Sequence, residues 1–230
     1  MNKAGIDQDA IVKMFSQATA KQGEALRATV HDATVKALQG RELTMENIKK
    51  VLKTMTTAAS AGAAQNASSP LDVEAMLTKA FAGMDDALLQ AVEAHRKALQ
   101  QFVDQGAGLQ EKQLKGAIAN IEKMEDTFFA TVTQAAKAAS GPMQGPWEHV
   151  LSAMRLKGTD TGAQATQTVE QLMAQTQTAL REGRAASVNT AQAMLDGYAA
   201  LVSGVLIGMS EGLRSGTAAT ARTAPSPRKK

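Results

Sequence analysis

The stretch PLDVEAMLTKAFAGMDDALLQAVEAHRKALQQFVD, residues 70–104, decides the fold class. Its apolar residues Val73, Leu77, Phe81, Met84, Leu88, Val92, Leu99 and Phe102, with His95 among them, follow one another at steps of three and four. That is the spacing of a helix with one face turned to a partner. Pro70 suits a first helical turn, where its missing N–H costs nothing. Thirty-five residues at 1.5 Å each make a rod of roughly 50 Å, too long for a compact globule. The stretch therefore predicts an elongated bundle.

The composition agrees. Aromatic residues make up 3% of the 230-residue chain, while methionine (12) and alanine are abundant. Alanine and methionine favour helices, and strands favour the aromatic and β-branched types. The fold expected is all-α: an elongated bundle of long amphipathic helices followed by a disordered basic C-terminal tail.

Working outward, residues 7–39 read as one helix, with Ile11, Phe15, Leu26, Val30 and Leu38 on its stripe, broken at Gly40. Met45, Ile48, Leu52, Met55 and Ala59 mark a second, with Thr44 as its N-cap and Glu46 and Lys50 as a surface pair. After a turn at GAG, residues 106–108, a stripe of Leu114, Ile118, Ile121, Met124, Phe128, Val132 and Ala135 marks a fourth helix. The run SGPMQGP, residues 140–146, is the strongest breaker in the body of the chain. Beyond it PWEHVLSAMRLK reads as a short helix and GTDTG as a loop. A last long helix continues through Val169, Leu172, Tyr198 and Leu201. The expected organisation is an N-terminal helical region of about four helices (1–140), a Gly/Pro hinge with short helix and loop (141–162), a long C-terminal helix (163–216) and a basic tail (217–230).

That last helix carries GYAALVSGVLIGMSEGLRSG, residues 197–216, in which Gly204, Gly208, Gly212 and Gly216 recur every four residues. Four residues turn 400°, so these glycines line up as a shallow groove, with Leu201, Val205 and Met209 as a stripe beside it. Each glycine inside a helix costs up to about 1 kcal/mol against alanine. The offset expected is close approach of another apolar body. The candidate helix–helix contact is thus Gly204, Gly208, Gly212, Leu201, Val205 and Met209, formed within a bundle, with a second chain or with an apolar surface. Twelve largely apolar residues span only about 18 Å, short of the roughly 30 Å of bilayer hydrocarbon.

Chemistry-bearing patterns are sparse. There is no cysteine, hence no thiol nucleophile or thiolate site. Gly208–Gly212 matches G-x-S-x-G, yet no histidine follows His149 and the βα setting of that motif is missing. His31, His95 and His149 show no ligand spacing, and His95 reads as a histidine in the packing seam. The acidic residues Asp85, Asp86, Glu122 and Glu125 read as solvated helix faces. No catalytic, cofactor or metal site is expected, and no small-molecule substrate. Five cations (Arg214, Arg222, Arg228, Lys229 and Lys230) follow Glu211 with no further acid, which turns the overall +3 into −2 for the rest. The tail residues Arg222, Arg228, Lys229 and Lys230 are a candidate for loose, salt-sensitive contact with nucleic acid or anionic lipid. The N-terminus has no apolar run long enough for a signal peptide, so a cytoplasmic location is expected.

The stretches QATAKQGEALRATVHDATVKALQG and QTVEQLMAQTQTALREGRAASVNTAQAML, within a cysteine-free, aromatic-poor chain, resemble the phasins, the coat proteins of bacterial polyhydroxyalkanoate granules. LRATVHDATVKALQGRELTMENIKKVLKTM and GYAALVSGVLIGMSEGL are similar to an uncharacterised group of bacterial helical proteins. The phasin resemblance implies a non-enzymatic interaction protein that binds hydrophobic granule or lipid surfaces, and the compact glycine-spaced segment departs from that pattern. The alternative expectation is a soluble oligomeric scaffold or adaptor, most simply a homo-oligomer; a third is association with nucleic acid through the tail.

Overall fold

The structure, a computed structural model, describes residues 7–17, 22–39, 42–66, 70–104, 111–139, 141–181 and 201–210. It is all-α, with no strand among the described residues. The helices are α1 (Gln8–Gln17), α2 (Gly23–Gln39), α3 (Met45–Ala64), α4 (Pro70–Asp104), α5 (Glu111–Glu122), α6 (Met124–Ala138), α7 (Gln144–Lys157) and α8 (Asp160–Arg181). Residues 201–210 form a further helical segment, α9. Gly40 and the GAG turn lie outside the described residues, as do 182–200.

α4 begins at Pro70 and runs for 35 residues, about 52 Å. It is the axis of the bundle, with α2, α3, α7 and α8 packed on it. Its seam residues Val73, Leu77, Phe81, Met84, Leu88, Val92 and Leu99 are all buried, and so are Ala80, Ala87, Ala91, Ala94 and Ala98 on its other sides. The alanines explain how one helix accepts neighbours all round: a methyl group fills little space, so adjacent helices come close without voids.

The helix expected over 7–39 is two helices, packed chiefly against different partners: α1 on α3, α2 on α4. The apolar stripe does not reveal the division, because the eleven residues from Phe15 to Leu26 bring the helix back to within about 20° of the same face. The fourth expected helix is also divided, at Lys123, although its hydrogen bonding continues through Lys123 N–H to Ala119 O (3.2 Å) and Thr127 N–H to Lys123 O (2.9 Å). The stripe from Ile118 to Ala135 is buried as predicted. Thr44 caps α3, accepting from the Asn47 N–H at 3.3 Å, and Lys50 pairs with Glu46 at 2.6 Å.

The Gly/Pro stretch forms a single 3-10 turn, Gly141–Met143, leading into α7. It is a corner inside one core, whose members run from Ile11 in α1 to Leu206 in α9. Trp147 locks this corner: its fully buried indole donates from Nε1 to Ser60 Oγ at 2.8 Å, and Ser60 Oγ donates to Thr56 O at 2.7 Å. Nearby, Phe81 stacks on Phe128 with centroids 4.5 Å apart, and Phe129 joins them at 5.5 Å from Phe81.

Two lone glycines sit at close helix crossings. A Cβ on Gly83 of α4 would fall against the Arg27 carbonyl oxygen and lie 3.0 Å from Val30 Cβ, both on α2. One on Gly62 of α3 would strike Phe15 Cβ and lie 2.6 Å from the Val12 carbonyl oxygen on α1. Gly83→Ala and Gly62→Ala must push a helix backbone aside, at a cost of about 1–3 kcal/mol or more. Gly116→Ala in α5, where the space is open, is expected to be neutral or to gain up to about 1 kcal/mol. Chemical denaturation of the three variants checks this ordering.

Candidate functional site

The glycine-spaced segment and the corner between α7 and α8 are the two places where the structure departs most from ordinary bundle packing. In α9, Val202 and Leu206 are fully buried in the core, and Leu201, Val205 and Met209 pack partly against it. Gln39 Nε2 at the end of α2 donates to Leu206 O at 3.4 Å. Gly204 and Gly208 lie on the other side, exposed, and a Cβ built on either meets nothing within 4 Å. The geometry follows from the helix period: two residues turn 200°, so the edge holding Val202 and Leu206 stands opposite Gly204 and Gly208. Burying one exposes the other. Among the described residues, then, the contact runs through the aliphatic edge and not through the glycine row, and Ile207, 38% exposed, sits on the outer side with the glycines. Gly212 and the tail residues Arg222, Arg228, Lys229 and Lys230 lie outside the described residues.

At the other place, α7 ends on Gly158, whose φ of 78° is in the left-handed region that glycine adopts freely. Thr159 then caps α8, its Oγ1 accepting from the Gly162 N–H at 2.9 Å. The N–H groups of Asp160 and Thr161 donate to the two carboxylate oxygens of Asp85, in the middle of α4, at 2.9 and 3.2 Å, and Thr161 Oγ1 donates to Asp85 O at 2.9 Å. Glu125 of α6 accepts from the Thr159 N–H (3.1 Å) and Oγ1 (2.6 Å). The leading N–H groups of α8 are thus satisfied by its own cap and by a carboxylate from α4, with a second carboxylate from α6 on the cap itself, at the end where the helix dipole favours negative charge.

Asp85 and Glu125 are therefore structural anchors and not the solvated faces that the sequence suggests. Asp86, one residue and 100° further round α4, takes the neighbouring helix: Arg27 of α2 binds it bidentately at 2.7 and 2.8 Å. Beyond its anchor, among the side chains described through residue 174, α8 buries Thr161, Ala165, Thr168, Val169 and Leu172. The Thr168 Oγ1 is buried without a hydrogen-bond partner, which costs about 1–3 kcal/mol. The carboxylates of Asp85 and Glu125 thus fix the position of this end of α8 directionally.

With this geometry in hand, comparison with known proteins adds one finding. A model described as a family of unknown function (DUF6781) matches residues 1–215. The chain belongs to the DUF6781 family. No curated protein and no solved structure matches it. The DUF6781 match takes in Gly204, Gly208 and Gly212 and stops before Arg222. Among the described residues of this DUF6781 member no group of three or more His, Asp and Glu is placed to hold a metal ion, and no helix is long and apolar enough to cross a membrane.

Two buried ionisable groups respond to pH in opposite directions. Burial raises the Asp85 carboxyl above its usual value, opposed by the bonds from Thr161 and Asp160. A raised folded pKa favours folding at low pH and loses that contribution as pH rises through it. Burial pushes His95 on α4 down to about 4 from 6.5. Its contribution is complete above pH 6.5 and is lost as pH falls toward 4, amounting to about 3 kcal/mol at one pKa unit per 1.36 kcal/mol. Glu93, held low by Arg96, adds its loss only below about pH 4.5. Urea denaturation between pH 6.5 and 4.5 is expected to show a falling stability that His95→Gln flattens.

Proposed function

We propose that this chain is a non-catalytic helical scaffold that associates with a second copy of itself through the outward side of α9, and that it works in the cytoplasm. The observation behind this reading is the exposed row of Gly204 and Gly208 on a helix whose remaining sides are apolar. A glycine row on a helix is destabilising unless a backbone comes close to it. No described part of the chain does so. A second copy offers the same row, which suits a two-fold contact in which each groove receives the other helix.

The described stripes of α1 to α8 favour the scaffold over a granule or lipid coat, because they are spent inside one core. The large apolar side chains left exposed among the described residues are Leu156, Met173 and Ile207, too few for a binding face in the closed form. A granule-binding reading asks the core to open.

Light scattering on the full chain tests the proposal. Wild type is expected to be a dimer or larger. Gly204→Leu and Gly208→Leu are expected to be monomers with unfolding midpoints at or above that of wild-type monomer, since leucine favours helix. A monomeric wild type, or a leucine variant that keeps the assembly, overturns it. Flotation with anionic vesicles run alongside assigns the granule or lipid reading if the protein rises with them.

A further inference from the structure

We propose that α8 is a strap, a segment that detaches as one unit about Gly158 while the body formed by α1 to α7 stays folded, its closure set by the carboxylates of Asp85 and Glu125. The two ends of the hinge differ in how they are held. Upstream, α7 is fixed deep in the body by Trp147, Val150 and Leu151, with the indole bonded to Ser60. Downstream, α8 is attached through hydrogen bonds from Asp160, Thr161 and Thr159 to groups on α4 and α6. Among the side chains described through residue 174, its inner face beyond them is Ala165, Thr168, Val169 and Leu172.

Gly158 between them supplies the pivot. Its backbone is in a region that glycine enters and leaves without penalty, and nothing lies within 4 Å of where a Cβ would stand. The fit at the anchor is close, because a Cβ on Gly162 would run into the Glu125 carboxylate. A polar attachment of this kind is cooperative. Once water takes over the Asp85 and Glu125 bonds, the apolar face that follows holds the helix without its directional anchor.

Lifting α8 uncovers the faces of α4, α5 and α6 on which it lies. The device gives a chain with a closed core a way to present apolar surface to a partner without unfolding. It does not depend on the α9 contact: strap opening is a property of a single chain, and self-association can fail with the strap intact.

Native-state hydrogen exchange on the full chain, followed by mass spectrometry at sub-denaturing urea, tests this. Amides at 163–172 are expected to exchange through an opening with a small urea dependence, well before those in the middle of α3 and α4. Asp85→Asn and Glu125→Gln are each expected to speed exchange in α8 by about 10- to 100-fold, the equivalent of one lost charge-assisted hydrogen bond. Trp147 emission should remain that of a buried indole. Exchange of α8 together with α3 and α4 in wild type, or variants that leave α8 exchange unchanged, overturns the proposal. Should Asp85→Asn fail to fold, the wild-type urea dependence and Glu125→Gln decide the matter.

Discussion

The architecture depends on the close approach of other helices to α4. A helix 35 residues long can be buried along most of its length only if its neighbours come near on several sides at once. The buried alanines and Gly83 provide for that, the glycine by letting the α2 backbone reach the α4 surface at Arg27 and Val30. Larger side chains at these places would hold α2 off and leave voids beside Met84 and Leu88, and the loss of packing would spread along the shared seam. Arg27 and Asp86 then fix the crossing in register with a planar, two-bonded pair beside the contact.

The α7–α8 corner is held by a different kind of force. The body from α1 to α7 is closed by large apolar side chains, among them Trp147 and the stacked pair Phe81 and Phe128, with Phe129 tilted against both. α8 is anchored by two carboxylates that reach its N-terminal end from α4 and α6. Apolar burial is non-directional and tolerates small shifts, whereas these bonds demand one position of the helix end. The first gives the fold its stability, and the second decides where α8 begins.

Much of this could be read from the residues, and the exceptions are instructive. The long helix from Pro70, the Thr44 cap, the Glu46–Lys50 pair and the burial of His95 follow from spacing and local chemistry, whereas SGPMQGP, read as a hinge, is a corner inside one core. Asp85 and Glu125 did not stand out, because a carboxylate on a helix looks the same in sequence whether it meets water or another helix's N-terminus. Nor did Gly83 and Gly62, each a single glycine without a pattern. The patterned glycines, Gly204 and Gly208, drew attention to a contact that no described part of the chain makes there.

The sequence by itself determined the class of fold and which residues would be apolar seams, since helix propensity and a three-to-four spacing are properties of a chain and its immediate neighbours. Only the tertiary structure decided which side of α9 turned inward, which glycines admit a neighbour and which acids became anchors. Those outcomes depend on residues far apart along the chain, such as Asp85 with Thr161 and Gly83 with Arg27, meeting at distances that no local pattern encodes. A helix apolar on every side has several faces it could bury at similar gain, and the shape of the space left by the other helices selects one.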